Sequence, residues 1–241
     1  MKLFKSITVL TLLLSTTISC AQWGNGKKIK GNGDITTITR STSNYKGLKA
    51  SGAMDFILVE GKEGEITIKG DSNLLEYIVT EVKSNKLIVR VKDGYNLRYT
   101  KSIVVTVPYE AIEEVSLAGS GDIVNTGTIE ANKFKVSLAG SGDIDLKVDS
   151  QSLESAIAGS GDIKLKGATA DLTIKIAGSG DFDGSSLEST NVTAKISGSG
   201  EANVVCNGEL IVRISGSGDV NYSGTPTNKD TKITGSGSVS N

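Results

Sequence analysis

The chain has 241 residues, with 26 basic and 27 acidic side chains and a net charge of −1. Charge this balanced offers no electrostatic footprint for nucleic acid, and the absence of histidine removes imidazole triads and His-ligated zinc sites. Twenty-nine glycines against two prolines, with only 5% aromatics, describe many special turns around a core of Val, Ile, Leu and Ala.

Residues 1–21 read as a secretory signal. Lys2 and Lys5 precede the apolar stretch from Ile7 to Leu14, which is too short to span a bilayer as a permanent helix. Two processing sites are open. Signal peptidase I would cut after Ala21, where Ser19 and Ala21 are both small. A lipoprotein peptidase would cut before Cys20, leaving that cysteine as a lipidation point that tethers the chain to a membrane without crossing it. No later segment is apolar enough to cross a bilayer as a helix. With Cys206 as the other thiol, no intramolecular disulfide is expected.

Residues 24–110 predict an irregular β region, packed on the axis of the repeat that follows it and capping one end, in preference to a separate small β-domain. Gly31-Asn32-Gly33-Asp34-Ile35 copies the turn of that repeat. Leu48, Ala50, Gly52, Asp55 and Phe56 align with Val115, Leu117, Gly119, Asp122 and Ile123. Ile66, Ile68, Gly70 and Leu74 fit one more degenerate coil. The stretch from Leu74 to Val79 suggests a short helical turn, and Leu87–Val91 and Ile103–Val107 read as strands.

Residues 111–241 form the regular repeat. Gly-Ser-Gly begins at Gly119, Gly140, Gly159, Gly178, Gly198, Gly216 and Gly235, at steps of 18 to 21 residues. Two residues before each tripeptide stand Leu117, Leu138, Ile157, Ile176, Ile196, Ile214 and Ile233. The fourth residue after its first Gly is Ile123, Ile144, Ile163, Phe182, Ala202, Val220 or Val239. A further column reads Phe134, Leu153, Leu172, Val192 and Leu210. Apolar positions therefore recur with a period of two on either side of a fixed turn, so each repeat holds at least two short strands. One coil cannot bury its apolar face alone, but stacked coils of equal length can. The expected fold is all-β: a right-handed parallel β-helix with coils of about 19 residues and strands ~4.8 Å apart. The paired glycines (Gly119 and Gly121, Gly140 and Gly142, Gly159 and Gly161, Gly178 and Gly180, Gly198 and Gly200, Gly216 and Gly218) serve the corners, where φ turns positive and stacked backbones pass closely. The polar, Pro-containing stretch from Thr225 to Asp230 suits an end coil that blunts further stacking.

The tandem Ala-Gly-Ser-Gly-Asp turns at 118–122, 139–143, 158–162 and 177–181 resemble those of the auto-transporter adhesin, head GIN domain family, found largely in Bacteroidetes. Lys30-Gly31-Asn32-Gly33 and Gly52-Ala53-Met54-Asp55-Phe56 also fit that family. The resemblance runs from about Trp23 to Asn241. It implies a right-handed β-helix, a cell-envelope location and no catalytic activity.

Several residues invite chemistry. Asp122, Asp143, Asp162, Asp181 and Asp219 follow the Gly-Ser-Gly turns and would line one edge, where a row of Ca²⁺ could relieve their repulsion. The simpler reading has each Asp accept backbone amides in its own turn, and it is preferred because one carboxylate per turn falls short of a calcium shell. No metal or other cofactor is therefore expected. A polysaccharide lyase would draw on Asp143 with Asp145, Asp181 with Asp183, and Arg213 or Lys164 as base, yet this spacing is ordinary for a solvated strand. Cys206 reads as a small core residue. Trp23, Tyr95 and Tyr99 would make a sugar-stacking platform, although such aromatics more commonly pack at a cap. Lys133, Lys135, Lys147, Lys164, Lys166, Lys175 and Lys195 read as one basic face that would favour acidic polymers, or as ordinary solvated lysines. The expectation is an exported, non-enzymatic binding or scaffold protein, in the periplasm, at the outer membrane or cell surface, or secreted. Its partners would be glycans or envelope proteins, not nucleic acid, with membrane contact only through an N-terminal lipid. The alternatives are a carbohydrate-active β-helix enzyme and a calcium-stiffened structural component.

Overall fold

The structure, a computed structural model, describes residues 26–241. The secretory signal, Cys20 and Trp23 lie outside the described residues. Nine strands occupy the N-terminal part: β1 (Lys27–Lys30), β2 (Ile35–Ser41), β3 (Gly47–Gly52), β4 (Asp55–Glu60), β5 (Glu65–Asp71), β6 (Ile78–Lys83), β7 (Lys86–Val91), β8 (Tyr95–Arg98) and β9 (Val104–Tyr109). The repeat supplies β10 (Glu114–Gly119), β11 (Asp122–Asn125), β12 (Ile129–Gly140), β13 (Asp143–Gly159), β14 (Ile163–Gly178) and β15 (Phe182–Gly198). It continues with β16 (Glu201–Val205), β17 (Glu209–Gly216), β18 (Asp219–Ser223), β19 (Asn228–Gly235) and β20 (Ser238–Ser240).

From β10 onward every pairing is parallel and joins one coil to the next. The shared register is the glycine corner: Gly119 pairs with Gly140, Gly140 with Gly159, Gly159 with Gly178, Gly178 with Gly198, Gly198 with Gly216 and Gly216 with Gly235. This is a parallel β-helix. Equal spacing of the corners puts Leu117, Leu138, Ile157, Ile176, Ile196 and Ile214 in one interior row, each at most 3% exposed. Ile123, Ile144, Ile163, Phe182, Ala202 and Val220 form a second buried row, and Phe134, Leu153, Leu172, Val192 and Leu210 a third. Each buried aliphatic side chain contributes about 1.5–3 kcal/mol, so these rows supply most of the driving force for stacking. Buried hydroxyls break the apolar pattern: Ser150, Thr169 and Ser189 stack in a row of their own, and Ser155 interrupts an aliphatic row. Ser155 lies between Val136 and Ile174, and its hydroxyl is buried without a hydrogen-bond partner. Nothing in the structure explains it.

The corners show why glycine is required twice. Gly178 has φ +131°, and a Cβ there would stand 2.3 Å from the carbonyl oxygen of Gly159. That same oxygen accepts the amides of Ser179 at 2.9 Å and Gly180 at 3.1 Å, so the two coils cannot move apart without losing both bonds. Gly180 is limited by space alone, since its Cβ would lie 2.2 Å from the oxygen of Gly161 and 2.9 Å from Cγ2 of Ile157.

The N-terminal region carries the axis onward with a change of chain order. β3 lies between β7 and β10, and β4 between β9 and β11, all parallel. The coil formed by residues 47–60 is therefore inside the stack, with residues 86–109 on one side and 114–125 on the other. The expected alignment of this coil is found: Leu48 pairs with Val115, Ala50 with Leu117, Gly52 with Gly119 and Phe56 with Ile123. The other two upstream coils are not. β2 and β5 run antiparallel to each other, and β5 runs antiparallel to β9, so Ile35, Ile66 and Ile68 belong to a cap. β6 closes the neighbouring face antiparallel to β7. Antiparallel strands end the ladder because they no longer repeat its register. The Gly31–Asp34 turn is held by Asp71, whose carboxylate accepts the Gly33 amide at 2.7 Å, the Thr100 amide at 2.9 Å and the Thr100 hydroxyl at 2.6 Å. The expected helical turn is a single 3₁₀ turn, Leu75–Tyr77.

Replacing Gly178 by Ala should cost about 2–4 kcal/mol of stability, because it combines an unfavourable φ with a carbonyl clash. Urea unfolding of the variant against the parent protein measures it.

Candidate functional site

The outer wall of the β-helix presents two linear arrays, one on each side of the exposed serine edge of the glycine corners. The first is the acidic row. Asp143 donates its amide to Oδ1 of Asp122 at 3.3 Å, Asp162 to Asp143 at 3.2 Å, Asp181 to Asp162 at 2.9 Å and Glu201 to Asp181 at 2.7 Å. Asp219 accepts the amide and hydroxyl of Ser238 at 2.7 and 2.6 Å. Each carboxylate thus caps the next coil, not its own turn as the local reading of turn aspartates has it. Glu201 is too long for this role and instead accepts the side-chain amides of Asn203 and Asn221, while the Asp219 amide turns to the Gly200 carbonyl. Among the described residues no group of three or more Asp, Glu or Cys side chains converges on a point where a cation would sit. Burial raises the Asp122 carboxyl above its ordinary range, and the neighbouring Asp55 and Asp143 add to the effect.

Of the residues suggested for a lyase, Asp145, Lys164 and Asp183 stand in one row across consecutive coils after the corner. Asp145 pairs with Lys166 at 3.0 Å. Asp183 pairs with Lys164 at 2.7 Å and accepts the Ser185 hydroxyl, which together bring its carboxyl down to about 2. Arg213 precedes the corner, on the neighbouring wall, and donates to the Asp230 carboxylate and to the backbone oxygens of Val212 and Asp230. Cys206 is fully buried, and burial raises its thiol. Tyr95 stacks on Tyr77 with ring centroids 4.6 Å apart, and Tyr99 packs against the core.

The second array is a shallow groove of ≈ 710 Å³ along the wall formed by β10, the C-terminal parts of β12 to β15, β17 and β19. Its floor is a row of small outward side chains, Ala118, Ala139, Ala158, Ala177, Ser197, Ser215 and Thr234. Beside it runs a second outward row, Ser116, Ser137, Ala156, Lys175, Lys195, Arg213 and Lys232, in register from coil to coil. The seven lysines read as one face are divided by the corner: Lys147, Lys164 and Lys166 follow it, whereas Lys133, Lys135, Lys175 and Lys195 precede it, and of these only Lys175 and Lys195 stand in this row. Arg213 and Lys232 complete the cationic row and were absent from that grouping. Their signal is positional, since each cation stands three residues before a Gly-Ser-Gly turn.

These features define a parallel β-helix repeat protein with an elongated, repetitive outer face. The model of the family described as "putative auto-transporter adhesin, head GIN domain" matches residues 44–226, and the chain belongs to that family. A "putative adhesin" from Bacteroides fragilis shares the fold at a TM-score of 0.81 and 21% identity, over 88% of this chain and 99% of that one. A "putative lipid binding protein" from Parabacteroides distasonis aligns at 0.69 and 25% identity, over 89% and 99%. A "putative adhesin" from Parabacteroides merdae aligns at 0.70 and 22%, also over 89% and 99%. No curated protein matches the chain.

Two outcomes follow from the acidic row. Because Oδ1 of Asp122, Asp143, Asp162, Asp181 and Asp219 is engaged with backbone, the melting temperature should be the same in EDTA and in millimolar calcium. A calcium-dependent rise would reveal bound ions. Asp122→Asn keeps the acceptor and removes the charge. A carboxyl with a raised folded-state pKa weakens the fold once pH exceeds its unfolded value, and has no effect below that value, where both states are protonated. The variant should therefore gain stability over the parent as pH rises from about 3 to about 7, read from paired melts.

Proposed function

We propose that this chain is an exported cell-envelope binding protein that holds glycan or protein partners on the outer wall of its β-helix and performs no catalysis. The observation that carries the reading is the in-register outer face, which repeats the same small and cationic side chains from coil to coil beside a groove of ≈ 710 Å³. A ladder of this kind offers an extended partner many weak, equivalent contacts. The family is described as adhesive, and three of the relatives of known structure carry adhesin names, which supports export and a binding role. The ion-paired state of Asp145, Asp183 and Arg213 supports a wall without acid–base machinery.

One relative is named for lipid binding. The apolar floor of the groove is the feature of this chain that would suit an acyl chain. Immobilised full-length chain should retain glycans on an array or isolated peptidoglycan, and release no unsaturated products from polyuronides. Silence with every glycan and with peptidoglycan would overturn the reading, and binding confined to lipid vesicles would move it to lipids.

A further inference from the structure

The cationic row goes beyond a general adhesive surface. Lys175 pairs with Lys195, Lys195 with Arg213 and Arg213 with Lys232, so four cations stand in consecutive coils with strand spacing of ~4.8 Å. Like charges at that spacing repel. Two of them are answered from within the chain: Lys175 by Glu154 at 2.7 Å and Arg213 by Asp230. Among the described residues, Lys195 and Lys232 have no carboxylate partner. The row therefore combines two cations fixed in place by intramolecular pairs with two whose charge is answered only by solvent. All four border a floor that carries nothing larger than Ala, Ser or Thr (Ala177, Ser197, Ser215, Thr234), and the exposed hydroxyls of the corner serines lie beyond that floor.

We propose that this row is a track for a linear acidic polysaccharide lying along the axis of the β-helix, with an anionic group set against successive coils. The proposal rests on the adhesive-surface reading and names the partner of that surface. Three features select a glycan. The coil spacing is close to the rise of one sugar residue in an extended chain. The flat, small-residue floor accepts the C–H face of a pyranose without a side chain in the way. The hydroxyl edge suits the sugar's own hydroxyls. A single-stranded nucleic acid would call for aromatic stacking platforms, and no aromatic side chain lines the groove.

The test is calorimetric titration of the full chain with oligogalacturonate, which has one carboxylate per sugar, and with neutral malto-oligosaccharide of equal length. Binding of the acidic oligomer alone, weakened by added salt, is expected. Lys195→Gln together with Lys232→Gln removes the two unpaired cations and should weaken binding about tenfold. Lys164→Gln with Lys166→Gln, on the other side of the corner, should leave it unchanged. Matched circular dichroism melts confirm that both variants fold. No binding of oligogalacturonate, equal binding by the Lys195/Lys232 variant, or equal affinity for a single-stranded oligonucleotide or for anionic vesicles would overturn the assignment. The adhesive-surface reading fails separately, through silence on the glycan array and with peptidoglycan.

Discussion

The structure depends on one close contact, the approach of a glycine corner to the carbonyl of the corner beneath it. The Gly159 oxygen takes two amides from the next coil, and any Cβ at Gly178 would overlap it. That contact fixes where each coil begins. Once corners superimpose, every residue at a given distance from the corner falls into the same row. Inside, this gives the continuous Leu and Ile rows. Outside, the same arithmetic stacks alanine on alanine and cation on cation. The interior needs the register for burial, and the exterior inherits it whether or not the resulting row is electrostatically comfortable.

The aspartates add a second link with a direction. Each carboxylate reaches to the amide of the following coil, while the Ile144 and Ile163 amides reach to the carbonyls of Asp162 and Asp181. A carboxylate spent in this way is a structural acceptor, and each of the five aspartates in the row ties its coil to the next. The two ends of the stack are finished differently. At the N-terminal end β2, β5 and β6 reverse direction and stop the ladder. At the other end β19 keeps the parallel register but puts Lys229 and Thr231 where Leu210 and Val212 stood, and Lys229 turns to the Tyr222 hydroxyl.

Much of this was legible in the sequence because it is local. A period of two around a fixed tripeptide identifies the interior rows directly, and the match of Leu48, Ala50, Gly52 and Phe56 to the later coils placed 47–60 in the stack. The cap was not legible, because Ile66 and Ile68 alternate just as coil residues do, and only their long-range partners make them antiparallel. The order of the first coils was hidden for the same reason. The acidic residues were recognised as acceptors, but a turn aspartate looks the same in sequence whether its donor is two residues or nineteen residues away. The basic residues were grouped by type instead of by distance from the corner. That joined lysines from two walls and left out Arg213 and Lys232, which the three-residue offset would have included.

The placement of residues 47–60 between two later segments has a consequence for how such rods can vary in size. The reversed strands that seal one end are knitted to β7 and β9, on the far side of that inner coil from the repeat, and the sealing is complete before the regular part begins. Between Gly140 and Gly198 each lap meets only its two neighbours, through the same handful of contacts. A whole lap could be gained or lost there without disturbing either terminus. The reach of the molecule is thus set by how many times a short module is copied, independently of the parts that finish its two ends.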